Sequence, residues 1–378
     1  MPGFEIIDRK ESQAVLRLFE KENGILFAHG FDKLRKKFHV RDLENKFSRK
    51  LENKYTLAVS SGTSAIKIAL LAMGVRRGDE VITQAFNFIA TIEAILDIGA
   101  IPIIAKIDSS LNMDPNQVER LITKKTKAII PVHMLGVPAD MNKILLIAKK
   151  HKVMVLEDNC EALGGKLNGK YLGTIGDVGV ASLDFGKIIT CGEGGIISTN
   201  SKKIYKFAKE YHDHGHQNNP KKTRGTDTKE IYGFNYRMTE IQAVICKEQL
   251  KKLNYIISEN KRRYMTMNRI LKHTVNLRSI DALSDPIYDT FIFFINSQKK
   301  RKKIIDILKK LKFGTKNLPD AIEWHCSFYW KHALSKKNIE RSKASKEILK
   351  KSIAIPIQLK KSIIEYNDLA KKIKSEIE

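Results

Sequence analysis

The chain has 378 residues, of which 42% are hydrophobic, so it is long enough to bury a large core and a second, smaller one. No apolar run approaches the ~18 residues that cross a bilayer, and the opening MPGFEIIDRKESQ lacks an apolar signal core, which predicts a cytoplasmic protein without membrane insertion. Lys and Arg number 68 and Asp and Glu 42, a formal net charge of +26, but the lysines are scattered over helical faces and form no basic arm, so we expect no nucleic-acid binding.

Short apolar segments alternate with amphipathic segments from about residue 40 to residue 200. Helical periodicity predicts helices over VRDLENKFSRKLE (40–52), SAIKIALLAM (64–73), TIEAILDIG (91–99) and MNKILLIAKKHK (141–152). The strand candidates are TLAVSS (56–61), EVITQA (80–85), IPIIAKI (101–107), AIIPVHM (128–134), VMVLED (153–158), VGVASL (178–183) and GIISTN (195–200). Apolar strands separated by helices predict an α/β fold with a mainly parallel seven-stranded sheet between helices.

The composition and the hydrophobic pattern of the sequence change after about residue 245. Lys-rich helical patterns such as RKKIIDILKKLK (301–312) dominate, with one clear strand candidate, TFIFFINS (290–297). This change predicts two domains: a large one over residues 1–249, which includes the N-terminal segment, and a smaller α+β domain over residues 250–378.

Three motifs in the large domain carry candidate chemistry. In SSGTSA (60–65), Gly62 permits a sharp turn, and Thr63 and Ser64 then stand at a helix N-terminus, which favours a phosphate, although an ordinary helix cap has the same sequence. In VMVLEDNCEALGG (153–165), Asp158 ends an apolar strand, where ligands of parallel sheets bind, although for this motif alone a helix cap or a buried salt bridge is a slightly better explanation.

The third motif is GDVGVASLDFGKIITCGEGGIISTN (176–200). Ser182 lies towards the end of a strand, Lys187 follows in a short loop, and the Gly-rich turn GEGG leads to the next strand. A lysine amine is costly to place inside a site unless it has a chemical role there. An imine link to an aldehyde cofactor is such a role, and it requires a partly desolvated amine with a lowered pKa. A phosphate turn, a strand-end acid and a loop lysine in this order favour a single cofactor site.

Together these motifs, with GFNYRMTEIQA (233–243), resemble the DegT/DnrJ/EryC1/StrS sugar aminotransferases, and the similarity runs through nearly the whole chain. The resemblance implies fold type I and the cofactor pyridoxal 5′-phosphate (PLP), with L-glutamate as amino donor and a keto or aldehydo sugar as acceptor. It also implies a homodimer with shared active sites.

Carried onto this chain, the resemblance assigns Lys187 the Schiff base and the proton transfers. Asp158 pairs with the ring nitrogen and Phe88 stacks on the ring. Asn235 reaches the phosphate of the partner subunit's cofactor. The remaining cofactor contacts that it implies are Gly62, Thr63, Ser64 and Ser182 for the phosphate and Glu161 near the phenolic oxygen.

Glu161 is a departure, because the family often has Gln or His at this position. A carboxylate there would repel a phenolate unless it is protonated or turned away. A related branch has His instead of the lysine and performs dehydration, so Lys187 favours transamination.

The acceptor has two candidates. Segments including MPGFE, ILFAHGFD, YHDHGHQNN and PDAIEWHCSFYW resemble the subgroup that converts 8-oxo-3-deoxy-manno-octulosonate to 8-amino-3,8-dideoxy-manno-octulosonate for lipopolysaccharide. The alternative is a nucleotide-linked keto sugar for a surface glycan. Candidate acceptor-binding residues are His29, Arg224, Lys316 and His325. His212, His214 and His216 alternate as metal ligands can, but a polar loop explains them better, so we expect no metal.

Overall fold

The computed structural model describes residues 2–219 and 221–378. Thirteen strands lie in the described residues: β1 (Tyr55–Val59), β2 (Glu80–Gln84), β3 (Ile101–Ala105), β4 (Thr126–Ile130), β5 (Met154–Asp158), β6 (Lys166–Leu167), β7 (Lys170–Tyr171), β8 (Val178–Ser182), β9 (Gly195–Thr199), β10 (Asn276–Leu277), β11 (Ser284–Asp285), β12 (Thr290–Phe294) and β13 (Ser352–Pro356).

The same residues contain fourteen α-helices: α1 (Pro2–Glu5), α2 (Arg9–Lys21), α3 (His39–Leu51), α4 (Gly62–Ala72), α5 (Ala90–Asp97), α6 (Pro115–Leu121), α7 (Met141–His151), α8 (Lys202–Tyr211), α9 (Glu240–Leu271), α10 (Gln298–Lys310), α11 (Ile322–His325), α12 (Lys336–Arg341), α13 (Lys343–Lys350) and α14 (Ile363–Ile377). Helices are confirmed at all five segments where periodicity predicted them.

The predicted seven-stranded sheet is confirmed. Its order is β1-β9-β8-β5-β4-β2-β3. Four neighbouring pairs are parallel, and β9 runs antiparallel to both β1 and β8. The parallel strands β2, β4, β5 and β8 therefore end at one edge of the sheet, which is where α/β sheets bind ligands.

Helices cover both faces of the sheet. Side chains of successive strand residues point to opposite faces, so Leu57 and Val59 pack with α4 and α8, whereas Ala58 packs with α3 and α9. This two-sided burial explains why the strands are apolar throughout and show no alternation.

The C-terminal part is α+β, as the composition predicted. Strands β10, β12 and β13 form an antiparallel sheet against α9, α10 and α14. The predicted boundary between residues 249 and 250 falls inside α9, which is continuous for 32 residues. Its first half packs under the large sheet and its second half packs in the C-terminal core. The division into two domains stays a prediction, and any such division has to share this helix.

The N-terminal segment returns to the middle of the molecule. The short helix α1 lies against the loop that holds Lys187, where the rings of Phe4 and Phe185 stack at 4.8 Å between centroids. A Cβ on Gly3 would come within 2.6 Å of the Lys187 carbonyl oxygen, so only glycine permits this approach. Within the described residues, no helix is long and apolar enough to span a membrane.

Candidate active site

A cavity of about 420 Å³ opens at the edge where the parallel strands end. Most of the residues predicted to bind cofactor or substrate line it together: Gly62, Thr63, Phe88, Asp158, Glu161, Ser182, Lys187, Lys316 and His325. Four other predicted residues do not line it: Ser64, Asn235, His29 and Arg224. The strand-end argument thus located the cavity.

The start of α4 forms one wall. Ser61 caps the helix: its hydroxyl accepts a hydrogen bond from the Ser64 N–H at 3.1 Å, and the Ser64 hydroxyl accepts one from the Ser61 N–H at 3.0 Å. The first N–H groups of a helix lack intrahelical partners and favour an anion, so Gly62 and Thr63 offer a phosphate site here. Ser64, predicted as a phosphate ligand, instead uses its hydroxyl in the cap, because it points back along the helix start.

Gly62 and Ser182 fix how closely α4 approaches the sheet. A Cβ at Gly62 would lie 2.9 Å from the Ser182 Cβ, which no side chain tolerates. The glycine therefore lets the helix start and the end of β8 meet. The Ser182 hydroxyl accepts a hydrogen bond from the Asp184 N–H at 3.3 Å and stands at the same end of the cavity.

Asp158 ends β5 and is 3% exposed. Its Oδ2 accepts a hydrogen bond from the Thr91 hydroxyl at 2.9 Å, and its Oδ1 accepts one from the Cys160 N–H at 3.1 Å. Among the described residues no cationic side chain forms a salt bridge with it. The carboxylate is therefore held in place by neutral donors. Thr91 was not predicted, because a threonine inside a helical pattern carries no local signal of this contact.

Lys187 follows β8 in a tight turn, in which its N–H donates to the Asp184 carbonyl at 3.1 Å. Its Nζ lies 3.7 Å from Glu161 Oε1. The surroundings of Lys187 contradict the expectation of a lowered pKa. Burial lowers the pKa of Lys187, but the Glu161 carboxylate, with further acidic groups nearby, raises it above the ordinary value.

The Glu161 side chain is turned towards Lys187. Burial raises its pKa, but Lys187, Lys316 and His325 together lower the pKa to about 2. Its Oε2 also accepts a hydrogen bond from the Leu135 N–H at 3.2 Å. Its other oxygen, Oε1, faces the lysine.

Residues from the C-terminal part close the cavity. Lys316 Nζ pairs with Asp289 Oδ2 at 2.6 Å, and both side chains are buried. The His325 ring lies 5.6 Å from the Phe88 ring, and burial lowers the pKa of His325. Phe88 is 45% exposed although it lines a cavity, and such an open aromatic face suits stacking on a flat ring.

Three of the four predicted residues that do not line the cavity lie together around Asp213. Its buried carboxylate pairs with Arg224 and with Arg237, the latter at 2.7 Å, and His29 Nε2 lies 3.7 Å away. His29 and Arg224 were expected at the acceptor site, but within this chain Arg224 is paired with Asp213 and His29 lies beside it. Asn235 is exposed and forms a β-bridge with Asp213.

The alternating histidines diverge. The His212 Nδ1 contacts the Lys209 carbonyl at 2.6 Å, and the His216 Nδ1 lies 3.4 Å from Asp227. In the described part of the chain, no three His, Cys, Asp or Glu side chains are grouped as metal ligands.

The cavity fits PLP on its own chemistry. It presents an amine for an aldehyde, a carboxylate without a salt bridge in the described residues for a ring nitrogen, an open aromatic face for the ring and a helix N-terminus for the phosphate. These groups lie on four different chain segments and converge on one space.

Comparison with known proteins agrees with this geometry. The model of the DegT/DnrJ/EryC1/StrS aminotransferase family matches residues 29–372. Over 224 residues the chain is 39% identical to GDP-perosamine synthase of Escherichia coli O157:H7, which covers 59% of this chain and 60% of that protein. It is 34% identical over 243 residues to 3-oxo-glucose-6-phosphate:glutamate aminotransferase of Bacillus subtilis (strain 168), which covers 64% of this chain and 53% of that protein. Both matches span less than two thirds of the curated relative.

The fold is shared over the whole length with solved structures. The crystal structure of an aminotransferase from Psychrobacter cryohalolentis superposes with a TM-score of 0.85 at 25% sequence identity and covers 98% of each chain. The α/β architecture predicted from the strand pattern is therefore that of the aminotransferases.

Proposed function

This chain belongs to the DegT/DnrJ/EryC1/StrS aminotransferase family, and we propose that it is a PLP-dependent sugar aminotransferase with L-glutamate as donor. The observation that carries the proposal is the convergence of the Lys187 amine, the Asp158 carboxylate and the N-terminus of α4 on one cavity. An amine beside a carboxylate is common in proteins, but the combination with a phosphate-binding helix start and an open aromatic face is what PLP requires.

The residues divide the work as follows. Bound PLP supplies an electron sink that allows the amino-bearing carbon of the donor to lose a proton. Lys187 would hold the cofactor through its amine, and the freed amine would take up that proton and return it. Asp158 would accept a hydrogen bond from a protonated ring nitrogen and stabilise its charge. Gly62, Thr63 and Ser182 would hold the phosphate.

We also propose a homodimer in which Asn235 completes the partner's site. Asn235 is exposed and flanked by exposed aromatic side chains, since Tyr232 is 78% and Phe234 47% exposed. Exposed aromatic residues next to a polar one are typical of a protein interface. The ion pairs at Asp213 restrain the backbone next to Asn235, which bridges to Asp213. This restraint supports the proposal that the Asn235 side-chain amide binds a ligand of the partner subunit.

For the acceptor we propose an anionic sugar, in the first place 8-oxo-3-deoxy-manno-octulosonate. The support is the resemblance of segments such as DFGKIITCGEGG and PDAIEWHCSFYW to that subgroup. A second cavity of about 510 Å³ adjoins the first, shares Lys316 and Asn317 with it and adds Lys360 and Gln358. Amines and amides suit a carboxylate or a phosphate.

A nucleotide-linked keto sugar is the second candidate. The name of GDP-perosamine synthase favours it, because that relative's product is linked to a nucleotide. The name of the Bacillus subtilis relative gives a sugar phosphate without a nucleotide and glutamate as the partner substrate, so both acceptor types occur among similar proteins.

An absorption spectrum tests the cofactor and the donor together. Purified protein should show the visible absorption of lysine-bound PLP, and L-glutamate should convert it to the pyridoxamine form, which absorbs at shorter wavelength. The converted protein is then offered each acceptor type, and the product is identified by mass. Amination of only the nucleotide-linked sugar rules out the octulosonate, and a spectrum without the visible absorption refutes the function.

A further inference from the structure

A hydrogen bond from the neighbouring backbone holds the Glu161 carboxylate in place. Its Oε2 accepts from the Leu135 N–H, and Leu135 has a φ of +49°, a left-handed conformation that side-chain-bearing residues rarely adopt. The Leu135 carbonyl accepts from the buried Arg278 at 3.3 Å, and the Met134 carbonyl accepts from it at 2.7 Å. Such a conformation persists where the surroundings enforce it. The contacts with Arg278 therefore stabilise the turn in which the Leu135 N–H points towards Glu161.

The other oxygen of Glu161 faces Lys187. The distance of 3.7 Å between Oε1 and Nζ is within salt-bridge range, and it is the one salt bridge of Lys187 in the described part of the chain. Lys316, the other lysine of the cavity, is already paired with Asp289 at 2.6 Å. The titratable groups around Lys187 come from the turn after β5, from its own loop and from the C-terminal part, and they are Asp158, Cys160, Glu161, Asp184, Lys316 and His325.

We propose that Glu161 is the counter-ion of Lys187 in the cofactor-free protein and sets the pH at which this lysine can attach its cofactor. The proposal rests on the proposed function and adds to it a role for the residue at which this chain departs from its family.

The chemistry requires a proton transfer before the bond forms. A Lys187 ammonium has no free electron pair, so it first passes one proton to Glu161 or to solvent. The neutral nitrogen then bonds to the aldehyde carbon of the cofactor, and the aldehyde oxygen leaves as water with the two protons that the nitrogen still carried. A carboxylate that stabilises the ammonium therefore slows attachment at neutral pH.

The direction of the effect follows from the charges. Burial lowers the pKa of Lys187 and Glu161 raises it, so a neutral residue at position 161 leaves burial less opposed. The pKa of Lys187 should then fall, and a larger fraction of the amine should be neutral at a given pH. Below the pKa the neutral fraction changes about tenfold for each pH unit.

The test follows cofactor attachment to cofactor-free, full-length protein by the growth of visible absorption after mixing with PLP, between about pH 6 and pH 10. Glu161→Gln should move the rate profile to lower pH and accelerate attachment at neutral pH by about tenfold or more. Glu161→Asp, which keeps the charge, should stay close to the wild type. Glu193→Gln removes another cavity-lining carboxylate that is not among the groups acting on Lys187, and it should not move the profile.

A second measurement needs no cofactor. An amine-reactive reagent labels neutral lysines, and peptide mass spectrometry reads the labelling of Lys187 against pH. Glu161→Gln should shift this profile in the same direction, whatever its affinity for PLP. If the pH profiles of wild type and Glu161→Gln coincide in both measurements, the proposal that Glu161 is the counter-ion of Lys187 is refuted. Wild-type protein that gains no visible absorption at any pH would instead overturn the proposed function.

Discussion

Thr91 offers a sharp test of how Asp158 is held. The Thr91 hydroxyl donates to Asp158 Oδ2 at 2.9 Å, and both residues are at least 97% buried. Thr91→Val keeps the shape and removes this hydrogen bond, whereas the backbone donor of Cys160 remains. A hydrogen bond to a charged group contributes about 1.5–3 kcal/mol.

If that energy orients Asp158 towards the ring nitrogen, its loss should lower kcat. At 1.36 kcal/mol for each tenfold change, the expected decrease is about ten- to hundredfold, with the KM for glutamate nearly unchanged. Thr91→Ser keeps the hydroxyl and should restore most of the rate. The assay is the glutamate half-reaction, followed as the loss of visible absorption in a stopped-flow instrument.

Thr199→Val provides the matched control. Thr199 is also buried and donates to a carbonyl, that of Asp177 at 2.7 Å, but it lies at the end of β9 remote from the cavity. Thr91→Val should lose about 1.5–3 kcal/mol of unfolding free energy and Thr199→Val about 1 kcal/mol, whereas only Thr91→Val should slow the reaction. The positioning role is refuted if Thr91→Val keeps kcat within about twofold of wild type, or if Thr199→Val loses as much.

Two further predictions concern the subunit contact and pH. Lys187→Ala and Asn235→Ala should each be inactive, but after unfolding and refolding together they should regain about a quarter of wild-type activity, because half of the dimers are mixed and each has one intact site; no recovery contradicts shared sites. Burial raises the pKa of Asp213, but the hydrogen bond and the charge of Arg224 hold it well below its ordinary value. The resulting stability is present at neutral pH and is lost as the pH falls below about 4. Asp213→Asn should therefore cost about 3–5 kcal/mol at pH 7 in denaturant unfolding and flatten the acid loss; an unchanged acid profile would show that Asp213 does not contribute.

The sequence predicted the sheet well for a physical reason. Strands buried on both faces are apolar throughout and are separated by helices of clear periodicity, so β1 to β5, β8 and β9 stand out. The sequence pattern did not predict that β9 runs antiparallel to its neighbours, because strand direction depends on pairing between distant segments. Strand β13, SIAIP, was missed among Lys-rich helices, since a five-residue apolar run does not distinguish a strand from a buried helical turn. The change in composition near residue 245 marks a change in what α9 packs against and not the end of an element.

The residues of the candidate site also differ in whether the sequence could predict them. Residues at strand ends and in the glycine turn could be located, because topology places them at one edge. Thr91, the Leu135 N–H and Asp289 could not, because each acts through a tertiary contact that leaves no local pattern. His29 and Arg224 were selected for their charge alone, and charge alone did not predict that Asp213 would bind Arg224 and lie beside His29.

The surroundings of the two buried carboxylates assign them different tasks. Asp158 receives hydrogen bonds from neutral donors, so its charge is available to a cationic group of a ligand, such as a protonated ring nitrogen. Glu161 faces Lys187 and the field of Lys316, so its charge is already balanced by the protein. Removing the charge at Asp158 should therefore abolish catalysis, and it should shift the pH of cofactor attachment less than removing the charge at Glu161 does, because Glu161 is the larger cause of the raised Lys187 pKa. If Asp158→Asn shifted the attachment profile as far as Glu161→Gln, the two carboxylates would act as one pool of negative charge, and neither assignment would hold.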